Sequence, residues 1–490
     1  MTGRPPGAAV RDRPVSWVDL IDLGLDPDDR RPLFQQLHLA LRDLIARRVV
    51  PAGTRLPATR ILADRLGVSR TTVVAAYDQL QAEGVVAGRV GAGTYVASEI
   101  EARDERPGAA VAEPPGRDRP APAAWRAETL PFATGFCGMH AVTERAWGRL
   151  VQRHLRGIGI RQRTYGDPLG DRPLREAIAE YLRVARSVVC DADRIALVSG
   201  SQQGLDLILR VLARAGDPAW IEDPCYPAAL AAMRQHRLDI LPVPVDDQGL
   251  DVAAGLALRP DARLVYCTPT HHYPLGVAMS LARRLQLLDW ARDGRWVIED
   301  DYDSEFRFSG RPLSALQGLD RHDRVVYLGT LSKVLFPGLR IGYVVLPPQL
   351  VDGFAAVRNA ADRFPSSVLD DVLVDFINEG HFTRHIRRMR QEYGERRERL
   401  IAALQAEAGD HLTVAPIDRG MYLVADLRPG LDDCAVAEAA RRRGVVVRPL
   451  SPMHVAAPPR SALILGFTGF SPQALDEAAR TLGAVLRGFR

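Results

Sequence analysis

The chain has 490 residues, of which 47% are hydrophobic and 25% charged, with a formal net charge of +4 at pH 7. These proportions describe an ordinary globular protein and exclude collagen-like and disordered chains, while the length predicts two or three domains. No run approaches the roughly 20 apolar residues of a membrane span, and Met1 to Asp12 contain no apolar core of a secretion signal, so a cytosolic protein with no membrane partner is expected.

Cys137, Cys190, Cys225, Cys267 and Cys434 are scattered without CxxC spacing and read as reduced thiols, neither a metal site nor a disulfide framework. Residues 1–30 are expected to be mostly disordered. From 31 to 98 there are nine arginines against the four acids Asp43, Asp64, Asp78 and Glu83. That local surplus fits either nucleic acid or a solvated basic face.

Within this stretch, Leu33 to Arg48 has helical periodicity, and Pro51-Ala-Gly-Thr-Arg-Leu-Pro57 forces a turn. A second helix, Ile61 to Leu66, is closed by Gly67, and Ser69 is placed to cap a third from Arg70 to Ala82. Two short helices around a tight glycine turn make a helix-turn-helix whose second helix opens with Arg70, Thr71 and Thr72, the turn that such helices present to bases and phosphates. The run from Gly84 to Val96 then reads as a two-stranded wing with a glycine-rich tip. The whole stretch, GTRLPATRILADRLGVSRTTVVAAYDQLQAEGVV…GAGTYV, resembles the GntR-type winged helix. That resemblance implies that Arg60, Arg70, Thr71, Thr72 and the wing around Gly93 face operator DNA.

Residues 99–124 are rich in Pro, Ala and charge and predict an extended linker between a domain at 31–98 and a body at 130–490. In the body, helical segments alternate with short apolar runs beginning at Ile195, Ala219, Leu264, Trp296, Val325 and Ile341, a pattern that predicts a mainly parallel sheet covered on both faces. A long Arg-rich amphipathic helix is expected from His385 to Ala406, followed by a smaller α/β region with Val445-Val-Val447 as a strand.

Lys333 is the only lysine among 64 basic residues. Arginine can supply positive charge anywhere, but its guanidinium stays protonated and forms no imine, so a lysine kept at one position points to amine chemistry. The bland alternative is a surface lysine left in an Arg-biased sequence. Lys333 ends the run Val325-Val-Tyr-Leu-Gly-Thr-Leu-Ser-Lys, which places its amine at the carboxyl edge of a sheet, where α/β folds bind cofactors.

An imine-forming lysine commonly serves pyridoxal phosphate, which needs an acid at its pyridine nitrogen and an anion site for its phosphate. Asp300 and Tyr302, at the end of the Trp296 strand, offer a carboxylate and a phenol, although an acidic cluster alone is as often a metal site or a solvated loop. Ser199-Gly-Ser201-Gln202-Gln follows a strand and opens a helix, a place for phosphate, and Arg340 can add a bidentate contact. Tyr226 suits either ring stacking or ordinary packing.

Asp300, Tyr302, Thr330-Leu-Ser-Lys333, Arg340 and the Ser-Gly-Ser-Gln-Gln turn together resemble the class I aminotransferases of pyridoxal-phosphate fold type I. A winged helix upstream of such a domain, with phrases such as EDDYDSEFR and SKVLFPGLRIGY, resembles the MocR subfamily of GntR regulators over almost the whole chain. The resemblance implies a Schiff-base linkage at Lys333, pyridine-nitrogen pairing by Asp300, ring-hydroxyl contact by Tyr302 and stacking by Tyr226. Phosphate binding falls to Ser201, Gln202, Thr330 and Arg340, and in a homodimer Tyr165 reaches the neighbouring subunit's phosphate.

Two departures stand out. Aminotransferases commonly carry Asn-Pro-x-Gly where this chain has His271-His-Tyr-Pro-Leu-Gly276, and an Arg for the substrate carboxylate where this chain has Ile464; Arg448 is a substitute or a surface arginine. Losing a charged clamp costs several kcal/mol of substrate and transition-state binding. The expectation is therefore a pyridoxal-phosphate-dependent, DNA-binding regulator whose aminotransferase-like domain senses an amine, an amino acid or the cofactor itself. The alternatives are an active aminotransferase carrying a DNA-binding domain, and a decarboxylase or lyase on the same scaffold.

Overall fold

The computed structural model describes residues 23, 25–26, 29, 31–89, 93–97, 129–157, 159, 161–310 and 313–489. Most of the segment expected to be disordered, and the whole of the expected linker, lie outside these residues. By its contacts the chain divides into two units, Met1–Ala124 and Trp125–Arg490.

The first unit contains helices α1 (Leu33–Ala46), α2 (Thr59–Leu66) and α3 (Arg70–Ala82) and strands β1 (Val86–Arg89) and β2 (Gly93–Val96). Leu37, Leu41 and Ile45 recur at helical spacing along α1 and pack with Leu62, Val73, Ala76, Leu80, Val86 and Val96 in one apolar cluster. Gly67 ends α2 at φ 64°, a left-handed conformation that glycine adopts without a Cβ penalty. Two residues later Ser69 starts α3, its hydroxyl accepting from the Thr72 amide at 3.1 Å. The wing is an antiparallel pair with Val86 opposite Val96 and Arg89 opposite Gly93.

The second unit is α/β. Its central sheet has the order β3 (Ile195–Val198), β10 (Gly342–Val345), β9 (Val325–Thr330), β8 (Trp296–Asp301), β7 (Leu264–Cys267), β4 (Pro218–Asp223), β5 (Asp239–Asp246), β6 (Gly249–Leu250). The five strands β9, β8, β7, β4 and β5 run parallel, whereas β10 is antiparallel to both of its neighbours. Successive residues feed opposite faces: Ile195, Leu197, Tyr327, Tyr343 and Val345 join one apolar cluster, and Ala196, Val198, Val326, Leu328 and Val344 another. Burial on both faces explains why these strands read as unbroken apolar runs.

A smaller antiparallel sheet follows, in the order β11 (Leu412–Val414), β12 (Tyr422–Leu427), β14 (Ala462–Gly466), β13 (Arg448–Pro449). The long helix is His381–Ala408, four residues longer at its start than periodicity indicated, and it buries Phe382, Ile386, Met389, Tyr393, Leu400 and Leu404 at helical spacing. The expected strand at Val445–Val447 is a correction, since only Arg448–Pro449 pairs in the sheet. Val446 donates its amide instead to the Pro131 carbonyl at 3.0 Å, which takes it out of the ladder. No helix among the described residues is long and apolar enough to cross a membrane.

Candidate cofactor site and nucleic-acid interface

At the carboxyl edge of the parallel strands lies a cleft of about 520 Å³. Lys333, Asp300, Tyr302, Tyr226, Ser201, Gln202, Thr330 and Arg340 all line it. The topology produces this meeting. In the β8–β9 register Asp300 lies beside Leu328 and Asp301 beside Gly329, so both strands deliver their last residues to the same rim.

Asp300 has one satisfied oxygen and one bare oxygen. Oδ2 accepts from the Tyr266 hydroxyl at 2.6 Å. Oδ1 is buried with no hydrogen-bond partner among the described residues. Burial pushes the carboxyl up to about 7, against the pull of Tyr266. A protonated ring nitrogen would satisfy the bare oxygen and restore the charged carboxylate. The Lys333 amine lies close under the loop at Gly135, where an added Cβ would stand 2.8 Å from Nζ. Gly135 has φ 85°, so glycine serves there for both conformation and space.

The anion end forms around the helix Ser201–Leu212. Gly200 caps it at φ 94°, and an added Cβ there would stand 3.2 Å from Arg340 Nη1, so the guanidinium lies against the helix start. First-turn amides and an arginine together make a phosphate cradle. Arg340 itself holds φ 54°, an uncommon conformation for a residue with a side chain and one that marks functional sites. Ser332 Oγ also lines the cleft and is buried without a partner among the described residues. Thr330 Oγ1 accepts from the Ser332 amide at 3.1 Å. Gln202 donates its side-chain amide to the Ala228 carbonyl at 3.0 Å, leaving its backbone for an anion.

At the far end four tyrosines gather. Tyr273 sits edge-on to Tyr226, Tyr302 and Tyr422, with centroids 5.3, 6.2 and 5.5 Å away. Tyr302 Oη lies 3.1 Å from both Tyr422 Oη and His271 Nδ1. Behind it, His271 Nδ1 is 2.9 Å from each oxygen of Asp303. Ile464 is fully buried with Val424, Leu450 and Met453. Its partner in the β13–β14 register is Arg448, which lines the cleft and bonds to the Tyr273 hydroxyl. A guanidinium is therefore present, one strand from the position where the resemblance places it.

Tyr165 does not line the cleft. It is 82% exposed, edge-on to Phe364 at 5.9 Å and beneath Arg363 at 5.4 Å. Sequence reasoning missed Tyr266, Ser332 and Tyr422. Ser332 was readable as the residue adjoining Lys333, whereas the tyrosines sit in strands and carried no signal of their own.

In the first unit Arg60, Arg70 and Thr71 are exposed at the starts of α2 and α3. Thr71 and Thr72 hydroxyls lie 2.7 and 2.8 Å from Ser69 Oγ, and Arg70 Nε donates to Thr59 Oγ1 at 3.4 Å. Gly93, at φ 108°, is exposed at the tip end of the wing's strand pair, where an added Cβ would stand 3.0 Å from Arg55 Nε. The wing tip at 90–92 lies outside the described residues.

Comparison with known proteins places both units. The family of bacterial regulatory proteins, gntR family, matches residues 33–96, and aminotransferase class I and II matches residues 137–482. The chain is 40% identical over 94% of its length to the probable rhizopine catabolism regulatory protein MocR of Rhizobium meliloti, covering 95% of that protein. It is 30% identical over 82% of its length to the pyridoxine biosynthesis transcriptional regulator PdxR of Corynebacterium glutamicum, covering 85% of it. Among solved structures, the kynurenine aminotransferase of Pyrococcus horikoshii, crystallised with PMP, superposes with a TM-score of 0.67 at 28% identity, covering 73% of this chain and 91% of that one.

Proposed function

We propose that this chain, a DNA-binding transcriptional regulator that belongs to the MocR subfamily of GntR regulators, holds pyridoxal phosphate at Lys333 and uses it to sense an amine. The carrying observation is convergence: the only lysine, a buried carboxylate with one bare oxygen, and an arginine against a helix N-terminus face the same cleft. When bound, the cofactor supplies an aldehyde that a primary amine can trap covalently. Lys333 provides the resident amine, Asp300 holds a proton on the ring nitrogen, and Tyr302 bonds the ring hydroxyl. Ser201, Gln202, Thr330, Ser332 and Arg340 grip the phosphate, and Tyr226 covers a ring face.

A ligand amine approaching Lys333 meets the tyrosine wall and Arg448, which suits a ligand carrying an anionic group. Ile464 favours sensing over turnover, because an aliphatic side chain replaces the arginine of the resembling enzymes. Tyr165, solvent-facing with Arg363 and Phe364, fits contact with a second copy in a homodimer. Arg60, Arg70, Thr71, Thr72 and Gly93 form the operator-facing surface.

The test is reductive trapping. Borohydride treatment of the cofactor-loaded protein should leave one pyridoxyl adduct on the Lys333 peptide, read by mass spectrometry, and Lys333→Ala should carry none while retaining its fold by circular dichroism. An unmodified Lys333 peptide would remove the cofactor reading. Rapid release of 2-oxo acid from a panel of amino donors would favour the active-aminotransferase alternative.

A further inference from the structure

Behind Tyr302 lies a buried histidine–aspartate pair to which the cofactor reading gives no task. His271 is 3% exposed and Asp303 1%. The pair is built, with a tight fit. A Cβ at Gly420 would stand 1.9 Å from His271 Cε1, so only glycine at that position leaves room for the ring. The ring also lies nearly parallel to Tyr422, at 5.2 Å and 28°.

The hydrogen bonds can be assigned from the acceptors. Both Asp303 oxygens stand 2.9 Å from His271 Nδ1, and a carboxylate only accepts, so Nδ1 carries a proton. The other nitrogen, Nε2, has no partner among the described residues. Tyr302 Oη is 3.1 Å from this same Nδ1, which bears a proton and has no lone pair to accept with, so the phenol cannot donate there and its own proton points elsewhere. Tyr422 cannot compete for the role of donor, since its hydroxyl donates to the His272 carbonyl at 3.2 Å. The Tyr302 proton is thus left for the Tyr422 oxygen, at 3.1 Å, or for a group bound in the cleft.

We propose that His271 and Asp303 are positioning residues that commit the Tyr302 hydroxyl to donate into the cleft, and that they thereby stabilise the deprotonated oxygen of the cofactor ring. The inference rests on the cofactor reading above. Titratable and charged groups beside His271 include His272, 3.6 Å from Glu222, and Arg307 and Arg419, which line a small cavity with it and pair with Asp418 at 3.8 and 2.7 Å.

The experiment follows the visible absorption of protein loaded with pyridoxal phosphate across pH, in wild type, His271→Phe, Tyr302→Phe and the double variant. His271→Phe keeps a ring against Tyr422 but lacks Nδ1. A donor to the ring oxygen favours its ionised form, so losing the orientation of that donor should move the spectral midpoint upward by about one pH unit, a tenfold change in proton affinity. In the Tyr302→Phe background the same His271 substitution should move it no further, because the only route is through the phenol. Asp303→Asn, which preserves shape, should give an upward shift of intermediate size and carries the same comparison if His271→Phe does not fold. An unchanged midpoint in the single variants, or an equal shift with and without Tyr302, would overturn the assignment. Absence of a borohydride-trapped adduct on Lys333 in wild type would overturn the cofactor reading, and this inference with it, and is read separately from the midpoints.

Discussion

The two ends of the cleft differ in kind. The end proposed for phosphate, with Gly200, Ser201, Thr330, Ser332 and Arg340, is backbone amides, hydroxyls and one guanidinium, held by a helix N-terminus and the turn after β9. The end proposed for the ligand is four tyrosines gathered about Tyr273, which Arg448 bonds, with Ile464 buried where the resembling enzymes place a carboxylate-binding arginine. Anion binding at a helix start depends on backbone geometry and survives changes elsewhere. Recognition by a few side chains can change without disturbing such an anion site. Under the proposed reading, a protein that keeps the first and alters the second would hold the cofactor and select a different amine.

Substitutions can separate the two ends. Arg340→Ala should weaken pyridoxal phosphate binding by about 3 kcal/mol, more than 100-fold, through loss of a charge-assisted bond to phosphate; equilibrium titration of absorbance would measure it. An undiminished affinity would place the phosphate elsewhere. Arg70→Ala acts as a control at a distance. It should cost about 1–3 kcal/mol of operator binding if it reads a base, or lower the salt slope by about one if it holds a phosphate, while leaving both ends of the cleft untouched. Arg448→Leu should weaken anionic amine ligands by about 1.5 kcal/mol, roughly tenfold, with the affinity for cofactor unchanged. Equal loss for neutral amines would show that Arg448 only supports Tyr273.

A subtler difference is in pH. The folded Asp300 carboxyl, held near 7 by burial, keeps its proton over a range where the unfolded chain, at 3.8, has lost it. The folded state then binds more protons, so stability of the cofactor-free protein falls as pH rises through that window. Glu299 and Glu305, also pushed up to about 7 by burial, act with the same sign. Asp300→Asn should therefore flatten the slope without abolishing it, measured by urea unfolding at a series of pH values. Loading with cofactor should flatten it too, because a ring cation favours the charged carboxylate. An identical slope in all three preparations would contradict the buried-acid account.

What the sequence disclosed follows from where the signals lie. The helix-turn-helix was legible because its determinants are local: Gly67 ends one helix and the Ser69 hydroxyl starts the next. The buried strands were legible because burial on both faces leaves an unbroken apolar run, and Lys333 stood out by composition alone. Tyr422 was not legible, since its meeting with Tyr302 joins residues 120 positions apart, one in the small sheet and the other just past the end of β8. Tyr266 was hidden for a related reason: a tyrosine in a strand is unexceptional until the next strand brings Asp300 to its hydroxyl. At Val445–Val447 the β-branched side chains argued for a strand, and a single backbone bond to Pro131 decided otherwise. Propensity is a weak guide where one hydrogen-bond partner from distant sequence is on offer.

The solitary lysine, set under Gly135 inside the cleft, has a practical corollary. Amine-directed reagents find no other side-chain amine on this chain. The extent of labelling at Lys333 thus becomes a direct gauge of cleft occupancy: whatever fills the cleft or captures the amine shields the one side-chain amine such a reagent can mark.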